Sequence, residues 1–283
     1  MKKIVFIFLF FSSISTLSFS QISNLEKDAL IDLYKSTNGP GWNTTWDLNG
    51  DVNTWFGITI ENNRVTKIDL RINNLEGIIP STIGNLTALQ ELNLAFNKIG
   101  GIIPSEITAI KSLRSIKLFI NQIEGEIPSN IGELHNLKEL ELFNNLISGN
   151  LPESIYNLDE LQVLHLSSNK LTGNISTTIE NLQNLTLLSL FDNSMKGTLP
   201  SQIGNLNKLK ELALANNSFE GEIPTSLSKL SNLETLLLSN NKFKGNLSEA
   251  IKKLPRLKIL EYNNENENDQ FSNSVTQILN HPQ

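Results

Sequence analysis

Between Val65 and Arg256 the chain repeats one 24-residue unit eight times: L-x-x-L-x-L-x-x-N-x-L-x-G-x-I-P, followed by a short apolar tail. The clearest copy runs through Leu89, Leu92, Leu94, Asn97, Ile99, Gly101, Ile103 and Pro104, and the next follows from Leu113 to Pro128. A fixed period of this length is the mark of a solenoid, in which each unit buries its apolar face only against its neighbours. Any function then has to sit on a surface that repeats.

Each part of the unit has a physical reading. The alternation in Leu140-Glu141-Leu142 has period two and predicts a very short strand with one buried face. Stacked once per coil, these strands make a parallel sheet. The position that follows is asparagine in every complete unit: Asn73, Asn97, Asn121, Asn145, Asn169, Asn193, Asn217 and Asn241. An amide both donates and accepts, so this column is read as structural, satisfying backbone groups where the chain turns inward. Glycine then permits a tight reversal, and proline stiffens the return, with Ser176 and Ser248 in its place in two units.

On these residues the unit N-x-L-x-G-x-I-P-x-x-I-G-N-L resembles the plant-type leucine-rich repeat of receptor-kinase ectodomains and polygalacturonase-inhibiting proteins. The resemblance covers Val65 to Arg256. It implies a right-handed curved coil with a parallel sheet on its concave face, short 3-10 or loop returns, and ligands docking on the concave side. The twin lysines and the Asn- and Ile-rich composition read as those of a bacterial member.

The flanks read as processing and capping segments. Lys2, Lys3 and the apolar run Ile4 to Phe11 form a signal peptide over residues 1–20, cleaved near Ser20 and Gln21. The run is too short for the roughly 20 residues of a membrane span, and the expected location is secreted or periplasmic. Residues 21–64 are read as an N-terminal capping module. In it Ser23 and Glu26 make a capping box, and Leu25, Ala29, Leu30 and Leu33 share one helical face. Trp42, Trp46 and Trp55 pack the cap, with a sugar-binding platform as the alternative. Asp47, Asn49 and Asp51 open like a calcium loop, but Val52 and Ile58 break its pattern, which leaves a polar turn. Residues 257–283 hold a partial repeat and a cap in which Phe271, Val275, Ile278 and Leu279 have helical spacing.

Composition excludes several classes. The net charge of −6 becomes −8 once Lys2 and Lys3 are removed, which disfavours nucleic acid and anionic membrane as partners. With no cysteine there is no disulfide, thiolate site or thiol nucleophile. Of the three histidines only His165 falls on the sheet, and no catalytic motif or cofactor site emerges. The N-x-S/T triplets, Asn43 and Asn184 among them, matter only in a host that glycosylates them.

Function is therefore sought in the variable positions of the strands. The position after the third leucine gives Arg71, Ala95, Phe119, Phe143, Ser167, Phe191, Ala215 and Ser239, with Phe96 and Ile120 in the next column. The middle column places Lys117, Glu141 and His165 beside the phenylalanines. An apolar centre with a mixed polar surround has the anatomy of a binding surface. An aromatic ladder that only stabilises the sheet is the other reading. The expectation is a non-enzymatic module that binds an extracellular or periplasmic protein through Phe96, Lys117, Phe119, Ile120, Glu141, Phe143, His165 and Phe191. Carbohydrate or cell-wall glycan, and ice bound on a regular polar face, are the alternatives.

Overall fold

The structure, a computed structural model, describes residues 22–263 and 274–278, with side chains for residues 22–262. The leader assigned to residues 1–20 lies outside the described residues.

The chain is a solenoid built on one sheet of eleven strands. The strand Arg64–Asp69 is followed, one per coil, by Glu91–Asn93, Ser115–Lys117, Glu139–Glu141, Val163–His165, Leu187–Ser189, Glu211–Ala213, Thr235–Leu237 and Ile259–Asn263. All pair in parallel, each residue opposite the one 24 positions on, as in Ile116 with Leu140 and Leu140 with Leu164. At each end an antiparallel strand closes the sheet: Ile58–Glu61 against Arg64–Asp69, and Ser274–Ile278 against Ile259–Asn263. The first of these hairpins turns through Asn62 and Asn63, both at positive φ, as a two-residue turn between twisted strands requires.

Leucines of the strands line one continuous core, and Leu94, Leu118, Leu142, Leu166, Leu190 and Leu214 are all fully buried or within 1% of it. Beside them runs the asparagine ladder. Asn145 Nδ2 donates to Leu118 O and Leu142 O, both at 3.0 Å, and its Oδ1 accepts from Ile123 N at 3.0 Å. One side chain thus ties two coils together: it is the partner of Ile123 N, and it shares Leu118 O with Asn121 and Leu142 O with Asn169. At Asn73 no preceding coil exists, and the cap substitutes for it: Thr44 N donates to Asn73 Oδ1 at 2.7 Å, and Asn73 Nδ2 donates to Thr44 O at 3.1 Å.

The return segments are 3-10 turns such as Ser81–Asn85, Ser105–Ala109 and Ser201–Asn205. Proline precedes most of them without a side-chain cap. Where serine replaces it, serine caps: Ser176 Oγ accepts from Thr178 N, and Ser248 Oγ from Ala250 N. Neighbouring returns approach closely at Gly204, where a Cβ would stand 2.3 Å from Ser226 O.

In the cap, the helix Asn24–Ser36 starts at Ser23, whose Oγ accepts from Glu26 N at 3.2 Å. Ala29, Leu30 and Leu33 are buried, but Leu25 is 58% exposed, contrary to the face assigned from spacing. The buried helix positions are Glu26, Ala29, Leu30, Leu33 and Tyr34, which leaves Leu25 on their flank. Glu26 is fully buried and is held by Arg64 Nε at 2.9 Å. Trp42, Trp46 and Trp55 are buried with Tyr34 in one cluster, Trp46 stacked on Tyr34 and Trp55 and met edge to face by Trp42, and each indole N–H donates to a backbone carbonyl. Their faces pack against one another and offer no sugar platform. Asp47 Oδ1 accepts from Asn49 N and Asp51 Oδ1 from Asn53 N, so these carboxylates close local turns.

A second correction concerns the tail. Helical spacing was assigned to Phe271, Val275, Ile278 and Leu279, yet Ser274–Ile278 is a strand. Its Ser-Val-Thr-Gln-Ile sequence is β-branched and alternating, and the last coil presents an unpaired strand edge for it. Phe271 and Leu279 lie outside the described residues.

Candidate functional site on the concave sheet

Because strand register is exact from coil to coil, identical positions in successive units form straight columns about 5 Å apart. Phe119 and Phe143 stack with ring centroids 4.4 Å apart and planes 9° from parallel. The imidazole of His165 continues the stack from Phe143 at 4.2 Å and 23°. At the other end Phe96 meets Phe119 edge to face at 5.2 Å. Four of the expected residues thus form one aromatic row. Phe191 does not join it, since the intervening coil carries Ser167 in that column and no ring contact of Phe191 occurs among the described residues.

The stacking has a chemical consequence. Phe143 is stacked on Phe119 at one side and on His165 at the other, which leaves its ring faces occupied. A sugar stacks on ring faces, whereas apolar side chains pack against edges as readily.

Lys117 lies beside the row with Nζ 2.8 Å from Glu139 and 3.0 Å from Glu141. Burial, the largest influence, acts to lower its pKa, but hydrogen bonds and charge from the two glutamates prevail and raise it. Burial likewise acts to raise Glu139, and hydrogen bonds from Lys117 and Ser115 outweigh it, leaving its pKa lowered. His165 is lowered by burial, with Glu141 opposing. On the first coils the row borders a hollow of about 490 Å³ lined by Lys67, Asp69, Arg71, Glu91, Phe96 and Lys117, among others.

Toward the C-terminal coils the face becomes small and covered. Ser167, Ser189, Ala213, Ala215 and Ser239 lie at outward positions of the strands yet are buried, as is Ala95 on the second coil. Ser167 and Ser189 hydroxyls bond each other at 2.6 Å. Ile120 is partly exposed beside Phe96. Sequence reading passed over Ile72, which occupies the same column as Phe96 and Ile120 one coil earlier and is 64% exposed. Its column was the available signal. No group of three or more His, Cys, Asp or Glu residues among those described is placed to hold a metal ion. No helix among the described residues is long and apolar enough to cross a membrane.

No curated protein matches the sequence significantly. Among solved structures, the chain is similar to the Arabidopsis receptor kinase HAESA, solved with the peptide hormone IDA and the co-receptor SERK1, at 32% identity and a TM-score of 0.75. That match covers 85% of this chain and 41% of the receptor chain. It is similar also to the plant peptide hormone receptor RGFR1, solved in complex with RGF2, at 34% identity and TM-score 0.64, over 65% of this chain and 30% of that one. The chain therefore spans less than half the length of either receptor chain. A plant ice-binding protein shares the fold at 24% identity and TM-score 0.68, covering 86% of both chains. The leucine-rich repeat region family matches residues 129–281 and the leucine rich repeat family residues 63–123, and with coils, asparagine ladder and neighbours in agreement, the chain belongs to the leucine-rich repeat family.

Proposed function

We propose that this protein is an exported, non-catalytic binding module that recognises a protein or peptide on the concave face of coils two to six, counted from the coil of Asn73. The observation that supports this reading is the continuous aromatic row Phe96, Phe119, Phe143 and His165, bordered by the Lys117, Glu139 and Glu141 charge cluster. An apolar centre within a polar surround is the arrangement of interface hot spots. The two receptors it resembles were solved with peptide ligands. With the faces of Phe143 occupied by Phe119 and His165, side chains are favoured over sugar rings as its contacting groups.

The test is affinity capture of extracellular proteins by the chain and by a Phe119→Ser/Phe143→Ser/Phe191→Ser variant. A protein held by the first and released by the second, with both folded by circular dichroism, supports the reading. Equal capture by both, or glycan binding unaffected by the substitutions, overturns it.

A further inference from the structure

In all eight coils the residue before the ladder asparagine has a left-handed backbone, with φ between 52° and 57° at Ile72, Phe96, Ile120, Asn144, Ser168, Asp192, Asn216 and Asn240. The fold imposes this. The N–H of Phe96 donates to Phe119 O at 3.0 Å, that of Ile120 to Phe143 O at 2.9 Å, and Ile120 O accepts from Asn97 N at 3.2 Å. Left-handed backbone is tolerated best by asparagine and aspartate and worst by β-branched and bulky residues. The five later coils follow that preference with Asn, Ser, Asp, Asn and Asn, and the first three do not.

Burial offers Ile72 and Phe96 little compensation, since they are 64% and 46% exposed. The edge-to-face contact of Phe96 with Phe119 offsets part of this cost, but core burial accounts for neither side chain. Strain of this kind concentrates at ligand contacts. With Ile120 they line one groove of about 340 Å³ whose other walls are Asn43, Asn74, Asn97 and Lys98. The groove is preformed, because Asn43 Nδ2 donates to Ile72 O at 3.0 Å and Asn74 Nδ2 to Gly41 O at 2.7 Å, fastening the cap loop against the first coil. Lys98 is its only charged wall and makes no ion pair among the described residues. Ile72 and Phe96 line this groove and the concave hollow alike, so the two are contiguous.

We propose that the groove anchors a linear peptide segment, seating one large apolar side chain among Ile72, Phe96 and Ile120 and setting a neighbouring carboxylate of that segment on Lys98. This rests on the concave-face reading and adds the chemistry of the ligand to it.

Selection from a displayed library of random linear peptides tests it, with the full chain as bait. Enriched peptides are expected to carry Asp or Glu beside a large apolar residue. Their affinity should fall about tenfold or more on Ile72→Asn/Ile120→Asn and on Lys98→Glu, losses of the size seen for anchor residues. The asparagine variant should unfold at no lower urea concentration than the parent, because left-handed strain is relieved, which separates lost contact from lost fold. Replacing the peptide's acid with lysine should restore binding to Lys98→Glu. Enriched peptides that bind both variants like the parent overturn the proposal, as does a library that yields no binder. Peptides lost by Phe119→Ser/Phe143→Ser but retained by Ile72→Asn/Ile120→Asn overturn it while leaving the concave-face reading in place.

Discussion

The imidazole of His165 lies nearly parallel to the phenyl ring of Phe143, 4.2 Å away, and Glu141 faces it from the adjacent strand. Burial depresses its pKa below the usual 6.5, against the pull of Glu141. The unfolded chain then binds the proton more readily than the folded one between those two values. Stability is complete above about pH 6.5 and falls as pH drops toward the folded pKa. Urea midpoints across roughly pH 5 to 8 should show this fall in the parent and a flatter profile in His165→Phe, which keeps the stack without the proton. The difference should not exceed about 1.4 kcal/mol per pH unit, the slope of one proton. Parallel profiles would show that His165 does not titrate with folding.

Asn145 joins two coils through buried backbone groups. Asn145→Ala leaves Ile123 N without its partner and takes one of two amide donors from Leu118 O and Leu142 O, and it should lower unfolding free energy by about 1–3 kcal/mol. Denaturant unfolding measures it. A loss below about 0.5 kcal/mol, the range of ordinary surface substitutions, would deny the ladder its structural role.

Arg64, on the strand Arg64–Asp69, is the half-exposed partner of fully buried Glu26 on the cap helix. Arg64→Ala leaves that carboxylate only the Ser23 hydroxyl at 3.5 Å among the described residues, and the expected loss is about 1–3 kcal/mol, the cost of an under-satisfied buried charge beside solvent. Restoring much of the loss with the second substitution Glu26→Gln would identify the stranded charge as the cause. Equal stability of Arg64→Ala and the parent would contradict it.

Ser176 stands where the repeat pattern has proline, at a φ of −71° that proline accepts. Its N–H nevertheless donates to the hydroxyl of buried Tyr156 at 3.1 Å. Ser176→Pro should therefore destabilise by about 1–2 kcal/mol, the effect of an unmade hydrogen bond. At Ser248, whose φ is −57°, the same change removes only an N-cap and should stay within about 1 kcal/mol. Calorimetry of the two variants decides it, and a stabilised Ser176→Pro would count against the bond.

The coils were legible in the sequence because every unit solves the same backbone problem, so leucine, asparagine and glycine recur wherever the geometry recurs. The phenylalanine row was legible for a related reason: period and strand register together place Phe119 beside Phe143. What sequence columns do not carry is orientation. That the rings stack face to face, that His165 rather than Phe191 ends the row, and that Ala95 is covered all depend on side-chain packing between coils. Isoleucine in a repeat reads as core, and at Ile72 only the column shared with Phe96 and Ile120 marks it in the sequence, while left-handed backbone and exposure mark it in the structure. At both ends the pattern stops, and with it the inference: Leu25 was placed by spacing alone, and the Ser274–Ile278 strand answers to an open sheet edge beyond the repeat.

A stack of identical parallel strands has no inherent length, since each coil templates the next. Here the first and last strands run opposite to those between them. A reversed strand offers an antiparallel hydrogen-bonding edge, on which the parallel coil of another copy cannot continue the series. The two hairpins thus replace the parallel edges on which another copy's coil would continue the series. A whole 24-residue unit added or removed between them leaves the pairing within each hairpin as it is, so the length of the concave sheet changes in steps of one coil.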